Sequence, residues 1–406
     1  QRAAVGGFND LTQLAGIGGL TGEALQTLLR AFTRTVYGIN TIQFSYHDGS
    51  LQHDGLHLRS NFAQAAPSPR WQRGAAIPDF RQAPAGYAIK ESLGQVLALR
   101  IALQANGLGG AFVRATGGGV LGPVREQFVS FDADGQSGLQ TFQLTGPTFH
   151  QSGVGAHDVT FNWQWRTRKN EAWRELLVTR HRVYIVLEAP TLPWTQTPTS
   201  TALPWTDALE LACTWAAGAT TRTEAARRIA ERYFDSGRVA YDTASGATFY
   251  GIVHYNLTEM LERLNGGVGL GAKVNCTDSA NTVSTLSNLL GCDLWQSRMG
   301  SAFALNAVIS IGFRDWALPF GGGFSYHEVA WSGACAENDN VFDACLKVDG
   351  DPDPTRAPRS ALLPVDMRFG DGSALDYRQR LCPPTPNGSV KCQPQPAEHR
   401  RRRPII

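Results

Sequence analysis

Hydrophobic positions change period along this chain, and the change divides it. Near the N-terminus, Leu25, Leu28, Leu29 and Phe32 recur at helical spacing and predict a helix over 20–34. A strand is expected over Thr41 to Tyr46, and residues 62–90, rich in Pro, Ala and Arg, read as irregular. The texture then turns to short strands. Val96 to Leu103, Glu126 to Phe131, Leu139 to Leu144 and Arg182 to Leu187 are apolar or β-branched runs set off by Gly and Pro. Phe161, Trp163 and Trp165 alternate with polar residues, the pattern of a strand buried on one face. This spacing predicts a β-sandwich-like domain over 93–190.

A Pro/Thr-rich linker follows at 191–204, and beyond it the pattern is helical. Leu209, Ala212, Cys213 and Ala216 share one face. Ala226, Ile229 and Tyr233 share another, with Thr223 as the expected cap. A third helix is expected over Thr258 to Leu264, stopped by Asn265-Gly266-Gly267. Ala280, Val283, Leu286, Leu289 and Leu290 predict a fourth, opening at Cys276 or Thr277 and closing at Gly291. Strand-like runs come next, at Phe303 to Phe313, Phe324 to Trp331 and Asn340 to Leu346. The fold class expected is α+β: residues 1–92 as an N-terminal helix and irregular segment, the sandwich, the linker, a mixed domain over 205–350, and a Pro/Arg-rich tail over 351–406. The tail, ending near Arg400-Arg401-Arg402-Arg403, reads as loosely ordered and solvated.

Composition narrows the function classes. The 406 residues suffice for more than one core, and 42% hydrophobic with 18% charged residues describes a globular protein. The net charge of +2 gives no reason to expect nucleic acid as a partner. No apolar run reaches the roughly 18 residues of a membrane-spanning helix, so no membrane span is expected. A protein or peptide is the expected partner. The compartment stays open between cytoplasm and export.

The seven cysteines are Cys213, Cys276, Cys292, Cys335, Cys345, Cys382 and Cys392. Cys335 with Cys345, and Cys382 with Cys392, are spaced for short disulfide loops; free thiols in a reducing compartment are the equal alternative. Cys276 stands apart because a helix begins there. A thiol becomes a nucleophile as a thiolate, and a helix N-terminus and an imidazolium both favour that form. His327 on one strand and Asp343 on the next could lie side by side across an antiparallel ladder, with the carboxylate orienting the ring. The catalytic residues expected are therefore Cys276, His327 and Asp343. Asp315 has a weaker positional case, and Asp349, Asp351 and Asp353 read as solvated loop charge. His53 and His57 could ligate a metal only on a helix, which Gly49 and Gly55 oppose, so neither a metal nor another cofactor is expected.

The order Gly266-Gly267-Val268-Gly269-Leu270-Gly271, then Cys276-Thr277-Asp278-Ser279-Ala280-Asn281, then Ser325-Tyr326-His327-Glu328-Val329-Ala330-Trp331, then Asn340-Val341-Phe342-Asp343-Ala344 resembles the transglutaminase-like, papain-type superfamily. The resemblance covers about 205–350. It departs from the family pattern after the His, where Trp331 comes four residues on, and after the Asp, where Ala344-Cys345 follows. It implies thiol-dependent acyl transfer or hydrolysis on a peptide or carboxamide bond: protease, amidase, deamidase or transglutaminase. The Cys276 N–H would be the first oxyanion donor, with Tyr255 and Trp215 as candidates for the second. The alternative is a catalytically inactive structural or binding module of the same fold, as part of an exported assembly.

Overall fold

The computed structural model describes residue 23 and residues 37–44, 55–66, 70–75, 83–106, 109–351, 357–373 and 376–406. The helix expected over 20–34, but for residue 23, and the whole His47–His53 stretch lie outside them.

The first half is built from two sheets. Strands β1 (Tyr37–Gln43), β2 (Trp71–Gln72), β3 (Ala85–Ala88), β4 (Ala98–Ala105), β5 (Gly109–Gly117), β6 (Val124–Phe131), β7 (Gln136–Gln143), β8 (Gly155–Arg166) and β9 (Arg174–Val186) follow in chain order. One sheet has the order β2-β1-β4-β7 and the other β3-β9-β8-β5-β6. Their inner faces share one core: Ile39, Leu99, Ile101 and Phe142 meet Val113, Phe161, Trp163 and Ile185. Trp163 is buried because its ring nitrogen has a partner there, donating to Thr179 Oγ1 at 2.9 Å. Two stretches that read as irregular, 71–72 and 85–88, are strands. β3 pairs in parallel with β9, a long-range partner that no local periodicity signals.

The second half is a mixed α/β layer around one central helix. Helices α1 (Thr206–Trp215), α2 (Arg222–Phe234) and α3 (Leu257–Leu264) precede α4 (Cys276–Leu289). The cap of α2 is Thr221, whose side chain accepts the Glu224 N–H, and not Thr223. Every residue of α4 is buried, polar ones included. A helix buried on all sides needs internal partners for its polar side chains. Ser279, Thr282 and Ser284 find them by donating back to the carbonyls of Asn275, Asp278 and Ala280.

A short parallel pair joins β10 (Ala240–Tyr241) to β11 (Lys273–Val274), just ahead of α4. Behind α4 lies an antiparallel sheet of β12 (Trp295–Met299), β13 (His327–Trp331), β14 (Asn340–Phe342) and β15 (Val365–Arg368), in that order. The strand expected over Phe303 to Phe313 is instead two separate two-residue strands. β12 is a strand the sequence pattern passed over, since Trp-Gln-Ser-Arg-Met lacks clean alternation.

The linker is not a free connector. Leu187 and Thr191 donate their N–H groups to Leu290 and Asn288 at the far end of α4. Trp194 is buried and donates to the Thr285 carbonyl at 2.8 Å.

The tail expectation is corrected for the described residues. Tyr377, Leu381, Cys382, Cys392, Arg403 and Ile405 are all buried. Gln296 in β12 exchanges backbone hydrogen bonds with Arg401, and the Tyr255 N–H donates to the Pro404 carbonyl, so the segment lies along the sheet edge. Average composition reports hydration; it does not report single side chains that find buried partners. Among the described residues, no helix is long and apolar enough to cross a membrane.

Candidate active site

Cys276 is the first residue of α4. Asn275 is extended at the cap position, and its side chain accepts the Asp278 N–H at 3.0 Å; Asp278 in return accepts the Asn275 N–H at 3.1 Å. This reciprocal cap fixes the first turn. Asp278 also accepts the N–H groups of Phe249 and Tyr250, so it ties the preceding loop to the same turn. Burial pushes its carboxyl up to about 6, against those three donors, which pull it down. The N–H groups of the first helical turn have no intrahelical backbone acceptor, and Asn275 takes that of Asp278.

His327 opens β13, and Asp343 follows directly on β14. The two side chains meet, with His327 Nε2 donating to Asp343 Oδ2 at 2.9 Å. They do not meet as ladder partners, however. Pairing between β13 and β14 ends at Ala330–Phe342, and the Asp343 N–H turns away to the Pro364 carbonyl at 2.8 Å. Asp343 thus leaves the sheet to reach the ring, and three donors hold it there. Besides the imidazole, Tyr377 donates its hydroxyl to Oδ2 at 2.7 Å and Cys345 its N–H to Oδ1 at 2.8 Å.

His327 Nδ1 is buried and has no hydrogen-bond partner; the Cys276 thiol is near enough to act on the ring's protonation. Burial alone would push the ring's pKa down. The charge and hydrogen bond of Asp343, with the nearby Cys276 thiol, reverse this and bring it to about 10. For Asp343, burial pushes up, but the imidazole and the other donors pull the carboxyl below its usual value. The ring is therefore protonated at neutral pH and paired with a charged carboxylate. His181 supplies the contrast: equally buried, with only the Thr179 hydroxyl beside it, it is pushed down to about 3.

A cleft of about 270 Å³ opens on Cys276 and is walled by Tyr241, Gly246, Phe320, Phe324 and Tyr326. Phe324 stacks on the His327 ring at 5.0 Å and covers it from solvent. Phe320 holds a left-handed backbone (φ 51°) at the cleft rim, between Pro319 and a glycine run. A side chain at Gly246, itself at φ +66°, would press on the Phe320 ring.

Neither residue considered as a second oxyanion donor reaches this cleft. Tyr255 is fully buried and hydrogen-bonds Thr282 on the flank of α4, at 2.8 Å. Trp215 lines a different groove, beside Arg227 and Arg228. Tyr241, passed over in the sequence, lines the cleft together with Cys276. Burial first, and then the neighbouring thiols and Asp343, push its pKa far up, so it stays a hydrogen-bond donor. Its strand, β10, is two residues long, too short to leave a periodic signal.

Asp315 is exposed and outside the site. Asp349, read as solvated, is buried, and its Oδ1 accepts three backbone N–H groups from 351, 359 and 360. All seven thiols are free and buried. His327, Asp343 and Cys345 offer three ligand-type atoms within 4.8 Å of one another. The carboxylate is already spent on three donors and the imidazole Nε2 on the carboxylate, so a metal would have to dismantle the pair.

No protein-family model matches this sequence, and no curated protein matches it. Among solved structures, the chain is similar to red sea bream transglutaminase, with 12% identity and a TM-score of 0.35. The match covers 67% of this chain and 50% of that one, so this chain spans about half that structure's length. This is a weak likeness in fold.

Proposed function

We propose that this protein is a thiol-dependent acyltransferase or hydrolase acting on a carboxamide or peptide bond through Cys276, His327 and Asp343. The unit that carries it is residues 205–350 together with the C-terminal segment that supplies Tyr377. The observation that carries the reading is the buried, hydrogen-bonded His327–Asp343 pair beside the Cys276 thiol, which lines a cleft.

The reaction starts from the form in which His327 Nδ1 carries the proton and Cys276 is the thiolate. The Cys276 sulfur attacks the acyl carbon, and the carbonyl π pair moves to oxygen. The Cys276 N–H and the Tyr241 hydroxyl donate to that oxyanion. As the intermediate collapses, the C–N bond breaks and the leaving amine takes the His327 Nδ1 proton. A thioester remains on Cys276. Water or a second amine then attacks it, gives its proton to His327, and expels the thiolate. Water makes the protein a hydrolase or deamidase; an amine makes it a transferase.

The inactive-module alternative requires a filled cleft and a histidine out of reach of the thiol. The open cleft and the nearness of the Cys276 thiol to the buried His327–Asp343 pair favour the active reading. Competitive alkylation tests it. In the native protein, iodoacetamide is expected to label Cys276 first among the seven thiols, with a rate that stays high well below pH 8. Labelling no faster than that of an ordinary buried thiol would overturn the reading. Incubating a glutamine-containing peptide with and without a primary amine then separates the acceptors: deamidated or cleaved product for water, conjugate for amine.

Tyr241→Phe tests the donor. Losing one oxyanion donor costs on the order of 10²-fold in kcat, with KM little changed. A kcat within about threefold of the parent would remove Tyr241 from this role.

A further inference from the structure

A complete ion pair is buried one residue away from the candidate site on each side. Glu328 follows His327, Thr277 follows Cys276, and both are fully buried. Thr277 donates its hydroxyl to Glu328 Oε2 at 2.8 Å, joining the first turn of α4 to the histidine strand, with the Tyr326 hydroxyl a longer 3.4 Å away. Glu328 is held from the opposite side by Arg403. Its Nη1 donates to Glu328 Oε1 at 2.6 Å and its Nη2 to Oε2 at 3.2 Å, the two-pronged geometry of a guanidinium on a carboxylate.

Arg403 also reaches both α4 and β12. Nη1 reaches Asn281 Oδ1 on α4 at 3.0 Å and Gln296 Oε1 on β12 at 2.9 Å, and Nε reaches the Ile252 carbonyl at 2.6 Å. Gln296 in turn donates to Ser284 on α4 at 2.7 Å. Arg298 makes a longer contact with Glu328 and lies over the Tyr326 ring at the cleft. Burial pushes the Glu328 carboxyl up, and Arg403 with Thr277 and Arg298 more than offsets it, so it stays charged.

Stability alone gives little reason to bury this pair, because apolar side chains of like volume would serve as well or better. What a directional network adds is register. A helix packed by apolar contacts alone can slide or turn by a fraction of an ångström at small cost. A thiol and an imidazole that must stay within hydrogen-bond reach cannot tolerate that.

We propose that Glu328 and Arg403 are positioning residues that set the spacing between Cys276 and His327, through Thr277. The assignment rests on the triad reading above. It makes the C-terminal segment a working part of the site, since the residue that locks the network comes from it. Neither side chain touches the reacting atoms.

The test is the pH profile of Cys276 alkylation by iodoacetamide, in the full chain, for the parent, Thr277→Val, Arg403→Lys and Arg403→Met, with circular dichroism checking the fold. Thr277→Val keeps the shape and removes only the hydroxyl. It is expected to slow alkylation at pH 6 by about tenfold and to move the profile toward that of an ordinary thiol. Arg403→Met is expected to slow it on the order of 10²-fold. Arg403→Lys, which keeps the charge and loses the fork, should fall between them. If Arg403→Met fails to fold, Thr277→Val and Arg403→Lys decide the question. An activated parent profile that is unchanged in both of these overturns the positioning role and leaves the triad standing. An ordinary profile in the parent overturns the triad and the positioning role together.

Discussion

Cys276→Ala is expected to abolish turnover, by at least about 10³-fold, while leaving the fold intact. The expectation follows from where the thiol sits. It is the first residue of a capped helix, sits beside a histidine that is protonated at neutral pH, and lines the cleft although only 4% exposed. No other described thiol combines these features. Cys345 lies beside Asp343 and its pKa is driven far up by burial and that carboxylate, and Cys213, Cys292 and Cys382 are likewise pushed up by burial. Substitution of one small buried side chain by another costs little stability, so thermal melting should change by only a few degrees. The measurement is product formation from a glutamine-containing peptide in the presence of a primary amine, followed by mass spectrometry. Loss of conjugate together with loss of the trapped thioester mass supports covalent catalysis by Cys276. Retained turnover in a folded variant would sink it.

What could be read in advance was whatever the chain encodes locally. The start of α4 was legible because the apolar positions from Ala280 onward keep helical spacing to Gly291; the Asn275 cap that fixes it was not read. His327 and Asp343 were legible as a histidine and a carboxylate inside apolar strands, the sort of polar group that burial forces to find a partner. How they meet was not legible. Asp343 leaves the ladder for the Pro364 carbonyl, and a backbone departure of that kind leaves no mark in side-chain periodicity. The all-round burial of α4 was hidden by its serines, threonines and asparagines, which resemble a solvated face until their hydroxyls are seen bonding back to the helix. Tyr241, Tyr377 and Arg403 were missed for one shared reason. Each acts on a residue far away in sequence, from a segment too short or too polar to stand out. Tyr377 and Arg403 lie in a stretch whose Pro, Asp and Arg content reads as solvated coil.

Asp343→Asn should reverse the sign of a pH effect as well as slow the reaction. Breaking the pair leaves His327 in the same buried setting without its counter-charge. An orienting carboxylate in such a triad is worth on the order of 10³- to 10⁴-fold in kcat, and the loss expected here is of that order. Removing one partner of a buried ion pair also costs about 3–5 kcal/mol of stability, which a urea midpoint would register. The pH dependence is the sharper test. In the parent, the folded-state pKa of His327 is raised from 6.5 to about 10. Its contribution to stability is therefore fully present below about pH 6.5 and is lost as pH rises toward 10. Asp343, held below its ordinary value, contributes stability that is present above pH 4 or so and is lost as pH falls further. The pair thus favours the fold across the neutral range and loses its contribution at both ends. Without the carboxylate, burial is the dominant influence on the ring, as it already is for His181. The folded-state pKa of His327 should then drop below 6.5, and its contribution should be present at high pH and lost on acidification. The difference in unfolding free energy between parent and variant should accordingly shrink as pH rises from 6 toward 10, and widen as pH falls from 6 toward 4. A difference that is flat between pH 6 and pH 10 would mean that Asp343 carries no proton-linked charge pair with His327. The carboxylate would then be a structural acceptor for Tyr377 and the Cys345 N–H, and the orienting role would fall.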